Sequence, residues 1–373
     1  MDRGRTTGRI RAAGCTAVVL ALCSLPAASR ADLLEQARQV VALAASRSPP
    51  WTGPSTGPSA APGKTIAVLA EDLRNGGVLG VAQGIREAAR EIGWTVRIVD
   101  AGGTPAGRSQ ALAEALAARP DGLVICGADA HELGPALRSA GDRLPPVVGW
   151  HAAPVAGPVA GTPVAMNVTT DPIAVARTTA LAAVAQSGGR AGVVVFTDSR
   201  FAIASAKAQA MAEVIRQCGG CTLLDLRDVP ISEAATRMPA VTRALLAAHG
   251  TRWTHALAIN DIYFDYAVPV FISAGMPTGA LSLLSAGDGS APAFMRVRSG
   301  TFQTGTVAEP LNMQGWQVVD ELNRLMAGQP VSGFVAPVHL VTAENLGADG
   351  GSRLAYDPEN GYRDHYRRIW KRR

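Results

Sequence analysis

Two hydrophobic patterns alternate along the chain. Short continuous apolar runs, such as Thr65-Ile-Ala-Val-Leu-Ala70 and Ala191-Gly-Val-Val-Val-Phe196, read as strands buried on both faces of a parallel sheet. Longer segments carry apolar residues at helical spacing. The first series predicts strands at 65–70, 94–100, 122–126 and 146–150, with helices at 78–92, 109–118 and 132–140. The second predicts helices at 171–186, 202–217, 233–249 and 263–274, with strands at 191–196, 222–226, 254–259 and 281–286. Residues 301–307 read as a strand leaving this unit, and 311–326 as a strong helix. Such alternation gives βαβ units, so the fold class is α/β, with two doubly wound parallel-sheet lobes. At 373 residues one sheet would be crowded.

Ahead of the first strand, residues 32–47 form an amphipathic helix with Leu33, Leu34, Ala37, Val40, Val41 and Leu43 apolar. Residues 48–63 hold five Pro and three Gly and read as an extended arm. Trp51 within it predicts that part of the arm docks on the body. Residues 1–31 have a different character. A basic stretch from Arg3 to Arg11 precedes a short apolar run from Cys15 to Ala28, and Ser29-Arg30-Ala31 places small residues where a signal peptidase reads. This predicts an export signal cut before Asp32. The run is too short to span a membrane, which takes about 20 residues. Leu22 stands before Cys23 where lipidation needs a small residue, and Cys15 lies ahead of the apolar run.

The formal charge of +5 comes mostly from that leader, which holds five Arg and one acid; the remainder has 30 basic and 29 acidic residues. A near-neutral body has no electrostatic footprint for nucleic acid. The C-terminal basic cluster, Arg363, Arg367, Arg368, Lys371, Arg372 and Arg373, reads as the solvated last turn of a helix, or as a surface for an acidic partner. Cys126 closes an apolar strand and reads as a buried small hydrophobe. Cys218-Gly-Gly-Cys221 reads as a short disulfide in an oxidising compartment, with a redox-active pair as the alternative. Its place after a helix and before a strand is the reverse of a thioredoxin-like motif. Zinc would need a second ligand pair, and the sequence has none.

Ligands of open parallel sheets sit beyond the carboxyl ends of the strands. Those positions hold Glu71, Asp72, Arg74 and Asn75; Trp150 and His151; Asp198 and Arg200; Asn260 and Asp261; Asp288 and Ser290; and Glu309. Carboxylates and amides accept from and donate to hydroxyls, and a ring face covers C–H bonds, so the set suits a small polyhydroxylated ligand. Any one of these positions could instead be a loop residue or a helix cap, as Asp171 before Pro172 reads. Asn75-Gly-Gly-Val-Leu-Gly80 is glycine-rich but is neither GxGxxG nor a P-loop. No GxSxG elbow or HExxH is present, and His151 has no evident nucleophile beside it, so no catalytic residue, metal or cofactor is expected. Asn167-Val-Thr169 matches a glycosylation sequon by chance.

From about Lys64 to Gln329 the chain resembles the periplasmic sugar-binding proteins of ABC importers, in the ribose/galactose-binding branch with the type I periplasmic binding fold. The resemblance rests on Asp72 after the first strand with Gly84-Ile-Arg-Glu-Ala-Ala89, on Arg119-Pro-Asp-Gly-Leu-Val124, on Pro146-Val-Val-Gly149, on Ala258-Ile-Asn-Asp261 and on Ser285-Ala-Gly-Asp288-Gly. It implies a periplasmic, monomeric binding protein that closes on a sugar or polyol and delivers it to a permease in the inner membrane. It implies ligand contacts at Asn260 and Asp288, and a hinge contact at Glu309. With the strand-end residues, the expected ligand set is Asp72, Asn75, Trp150, His151, Asp198, Asn260, Asp288 and Glu309. The resemblance also implies three crossovers, near Thr169, Glu309 and Pro337, so that residues 64–168 with 310–336 form one lobe and 169–309 with 337–373 the other. A sensory protein of the same fold, feeding a receptor, is the alternative, and a periplasmic enzyme a third. The family's ring-stacking aromatics after the first strand are replaced by Asn75-Gly-Gly-Val78, Trp150-His151 stand where an acid–arginine pair is usual, and Lys207 is the nearest cation to an expected Arg. A smaller polyol, a modified sugar or another polar metabolite is therefore open.

Overall fold

The computed structural model describes Met1, residues 30–47 and residues 49–371, so the expected export signal falls almost wholly outside the described residues. After a helix α1 (Arg30–Ala44), the chain builds a first lobe from β1 (Thr65–Ala70), α2 (Gly76–Glu91), β2 (Thr95–Asp100), α3 (Pro105–Ala117), β3 (Gly122–Cys126), α4 (Ala130–Ser139), β4 (Val147–Trp150) and β5 (Val164–Val168). The strands are all parallel, in the order β2-β1-β3-β4-β5. The second lobe follows with α5 (Pro172–Gln186), β6 (Gly192–Thr197), α6 (Ala202–Gln217), β7 (Thr222–Asp228), α7 (Ala234–His249), β8 (His255–Ala258), α8 (Ile262–Ser273), β9 (Ser282–Ser285), α9 (Ala291–Ser299) and β10 (Gln303–Val307). Helix α10 (Leu311–Met326) returns to the first lobe. Strand β11 (Leu340–Thr342) then pairs antiparallel with β10, completing a sheet ordered β11-β10-β9-β8-β6-β7. A last helix, α11, spans Tyr362–Trp370.

The very apolar β1, β3 and β6 are interior strands, paired on both sides and buried along nearly their whole length. Helix starts follow short polar side chains: Asn75, Thr104, Asp129, Asp171 and Ser290 each accept a hydrogen bond from a first-turn N–H. Three elements carried no clear sequence signal. β5 contains Asn167 and follows a Gly/Pro-rich stretch, β11 has only three residues, and α9 is a nine-residue helix with Pro292 in its first turn and two Arg among its few apolar residues. Asn167 of the sequon is buried. Its amide accepts from Ala152 N and donates to the carbonyls of Ala153 and Val155, so it braces the chain after β4.

The expected boundary placed all of 337–373 in the second lobe, but α11 packs on the first. Tyr362, Tyr366, Ile369 and Trp370 form one apolar stripe that joins the core around α10, where Trp370 stacks on Trp316 with centroids 5.3 Å apart. The Trp370 indole donates to Asp320 at 2.8 Å. The basic face of α11 is not a solvated turn. Arg363 pairs with Glu87 at 2.6 Å and with Asp357 at 2.9 Å, and Arg367 pairs with Glu91 at 2.9 Å, so its acidic partner is α2 of its own lobe. Arg372 and Arg373 lie outside the described residues.

The N-terminal segments also straddle the lobes. α1 lies along α5, with Ala37 and Ala44 in the second-lobe core. The arm from residue 49 runs over the first lobe: Trp51 packs on Phe334, His365 and Tyr366, Thr56 accepts from Arg324, and Ala60 N donates to Trp370 O. Five chain segments therefore pass between the lobes: the link from α1 to the arm, residues 169–171, 308–310 and 327–339, and the return to α11. Cys218 and Cys221 are joined as a disulfide at the α6–β7 turn, with Cα atoms 5.2 Å apart. Burial pushes the thiol of Cys126, the one free cysteine among the described residues, well above its usual range.

Helix α10 crosses α2 so closely that a Cβ on Gly315 would lie 2.6 Å from the backbone of Gly84 and Ile85. Overpacking of this kind costs about 1–3 kcal/mol. Gly315→Ala is expected to lower stability by that amount in urea denaturation, while Gly219→Ala, where a Cβ meets nothing within 4 Å, changes it little.

Candidate functional site

The carboxyl ends of β1, β4, β6, β8 and β9 face one another across a cleft between the lobes. It holds a partly open cavity of about 70 Å³. The lobes touch across it. Asn260 Nδ2 lies 3.4 Å from Asn75 Oδ1, and Ala202 N donates to Asp129 Oδ2 at 3.4 Å.

Five of the expected residues line this cavity at strand ends or the turns that follow: Asp72, Asn75, His151, Asn260 and Asp288. Asn75 also caps α2 by accepting from Gly77 N at 2.9 Å. Asp72 holds Arg74 through two bonds of 2.9 and 2.7 Å. Asn260 accepts from Ile262 N and donates to Asp288 Oδ2, which fixes the two side chains together. Asp261, next along, accepts from Gly289 N and Ser290 N and so shapes the loop that carries Asp288.

Trp150 lines the cavity too, but its indole N–H donates to Gln314 at 2.7 Å and His151 stacks on its ring at 3.9 Å. It is a support for His151, which sits at φ +50°, in the left-handed region that a non-glycine residue adopts only when its surroundings hold it there. Glu309 lies directly behind. Its Oε2 accepts from Thr170 Oγ1 and Gln314 Nε2 at 2.6 Å each, and its Oε1 faces His151 Nε2 at 3.4 Å. Asp198 does not reach the cavity. It is fully buried and its oxygens are engaged by Arg200, at 2.9 and 2.7 Å, and by Ile231 N at 2.8 Å. Asp198-x-Arg200 after β6 repeats the self-pairing of Asp72-x-Arg74 after β1. In both lobes the arginine folds back onto the first acid past the strand.

Three contributors, two inside helices and one at a helix start, are passed over by a reading of strand ends. Lys207, on the buried face of α6 with Ala204, Ala208 and Met211, donates to Ala286 O at 2.8 Å and places a positive charge near Asp288 and Glu309. Its helical spacing among apolar residues was the available signal. Arg108 of α3 is buried and reaches Glu71 at 2.6 Å and Glu132 at 2.9 Å. Phe201, at the start of α6, has the guanidinium carbons of Arg108 and Arg200 at 5.9 and 5.8 Å from its ring centroid.

Burial dominates the electrostatics. It raises Glu71 to about 7 against the opposing pull of Arg108. It raises Asp288 to about 7 against Lys207. Burial also opposes the charge on Glu309, but His151, Lys207 and the Thr170 hydroxyl outweigh it and hold that carboxyl down at about 2. The His151 imidazole is pushed down by burial, although Glu309 pulls the other way. Glu71 Oε2 is buried without a hydrogen-bond partner, while His151 Nε2 and Glu309 Oε1 have only each other, at 3.4 Å. A carboxylate accepts and a protonated carboxyl donates, so a hydroxyl group, which does both, complements Glu71 in either state. No group of three His, Cys, Asp or Glu side chains among the described residues is arranged to hold a metal ion.

These features agree with the comparisons. The family described as "Periplasmic binding protein domain" matches residues 66–330, and the chain belongs to it. Among solved structures, an ABC sugar transporter subunit from Rhodobacter sphaeroides is 23% identical, covers 76% of this chain and 99% of its own, and superposes with a TM-score of 0.64. An Agrobacterium vitis ABC transporter solute-binding protein with bound allitol is 20% identical over 77% of this chain and 97% of its own, at 0.65. Another from Agrobacterium vitis, bound with alpha-D-tagatopyranose, is 16% identical over 79% and 99%, at 0.69. At such identities the likeness is one of fold. No curated protein matches the chain in sequence.

The raised carboxyl of Asp288 has a stability consequence. Its folded pKa of about 7 lies above the ordinary aspartate value, so the native state holds a proton that the unfolded chain has released between about pH 4 and 7. Its contribution is fully present below pH 4 and lost as pH rises through 7. Asp288→Asn is therefore expected to raise the melting temperature of the ligand-free protein at pH 8, with the gain smaller at pH 5 and gone below pH 4. Equal effects of the substitution at both pH values would contradict this.

Proposed function

We propose that this protein is an exported solute-binding protein that captures a small donor-rich solute, a sugar or polyol, by closing its two lobes, and delivers it to an ABC importer in the inner membrane. The observation that carries this reading is the cavity between the lobes, lined from both sides by Asp72, Asn75, His151, Asn260 and Asp288, with the unbonded Oε2 of the buried Glu71 beside it. Buried polar atoms are normally paired, and a hydroxylated solute supplies the missing partner. Asp72, Asn75, His151, Asn260 and Asp288 would contact it, with Glu309 and Asp198 as positioning residues. The solved structures of similar fold that hold allitol and tagatose support this reading. Among the described residues no helix is long and apolar enough to cross a membrane, which fits a partner that delivers to a permease and is not one.

A solute that binds only the folded protein stabilises it by about 2.7 kcal/mol at a hundred times its Kd. A thermal-shift panel of monosaccharides and polyols is expected to contain at least one member that raises the melting temperature by several degrees. Asn260→Ala and Asp288→Ala should abolish that shift while each variant still melts cooperatively. A panel without any shift, beside a clear shift with another metabolite class, would overturn the assignment.

A further inference from the structure

The two walls of the cleft differ in chemistry. The first lobe presents Glu71, Asp72, Asn75 and His151, with Val78 and Trp150 between them. The second lobe lines the cleft with Phe201, Ile203, Ala204, Ile231 and Ile259, five side chains without a polar atom, and with Arg200, Lys207, Ser232, Asn260 and Asp288. The polar side chains that border this surface are already engaged: Arg200 bonds Asp198 and Ser232, with 3.3 Å to the Ser232 hydroxyl. Lys207, Asn260 and Asp288 are joined through the loop after β9, Lys207 donating to Ala286 O and Asn260 to Asp288. Nor is an aromatic face free to cover a flat sugar ring. Trp150 is stacked by His151, and Phe201 carries two guanidinium groups.

A fully hydroxylated solute would press a hydroxyl group against the aliphatic wall, where it would lose its water without gaining a partner. A solute with hydroxyls along one edge and a hydrocarbon terminus on the other satisfies both walls. We infer that the cleft selects a terminally deoxygenated sugar or polyol, one that carries a methyl group where the parent has hydroxymethyl, with the Phe201–Ile203–Ile231 surface as the specificity determinant. This rests on the solute-binding reading above and narrows it to a ligand class.

The test is isothermal titration of the full exported chain with matched pairs: L-fucose against L-galactose, L-rhamnose against L-mannose, and 5-deoxy-D-ribose against D-ribose. In whichever pair binds, the deoxy member is expected to bind at least tenfold more tightly, the size of preference an apolar pocket can exert over one group. Ile203→Asn and Ile231→Ser, checked for cooperative melting, should each cut that ratio to threefold or less. Binding in which the hydroxylated member equals or exceeds its deoxy partner overturns the inference and leaves the solute-binding reading standing. Absence of binding by every member of the pairs and of the broader panel overturns that reading, and this inference with it.

Discussion

The carboxylate of Glu309 is the point on which the geometry of the cleft depends. It is buried, charged and placed in the second crossing between the lobes. An isolated charge there would be costly, and the surrounding sequence offsets that cost with several donors. Thr170 comes from the first crossing, Gln314 from the opening turns of α10, and His151 from the end of β4. Gln314 in turn accepts from the Trp150 indole. One carboxylate therefore ties two crossings to the strand end that presents His151. Removing any partner would leave a buried group unpaired, which is dearer than the loss of an ordinary hydrogen bond.

Around that hub the cleft keeps a poised imbalance. Asp72 and Asp198 are neutralised by their own neighbouring arginines, so they shape the rim without attracting cations. Glu71 and Asp288 are held less firmly, each raised to about 7 by burial. A solute that donates to these groups replaces the water they lose on closure. Only contacts made in the closed form can favour it, and here they come from both lobes. The extra passages of chain, through the N-terminal arm and the return to α11, join the lobes away from the cavity and add to the three crossings expected from the family resemblance.

Much of the architecture was legible because burial on both faces leaves an unmistakable mark. Runs such as 65–70 and 191–196 have no polar side until their ends, and helices 202–217 and 311–326 have the bounds their periodicity predicts. The elements that escaped notice were those whose stability comes from neighbours: β5 with its buried Asn167, the short edge strand β11, and α9. The assignment of α11 failed for a related reason. Its charges look like a solvated turn until α2 supplies Glu87 and Glu91 opposite them. At the site, the strand-end rule found the residues on loops and missed Lys207 and Arg108, which reach the cleft from inside helices. It overvalued Asp198, since nothing in the sequence says that Arg200 turns back to cover it.

The central claim is that two lobes, joined at crossings braced by Glu309 and its partners, shut around a solute that hydrogen-bonds to both. Small-angle X-ray scattering on the protein, first stripped of bound solute and then saturated with the sugar or polyol giving the largest thermal shift, tests it most directly. The account predicts a smaller radius of gyration and a shorter maximum dimension on saturation. Superimposable curves for the empty and saturated protein would contradict it.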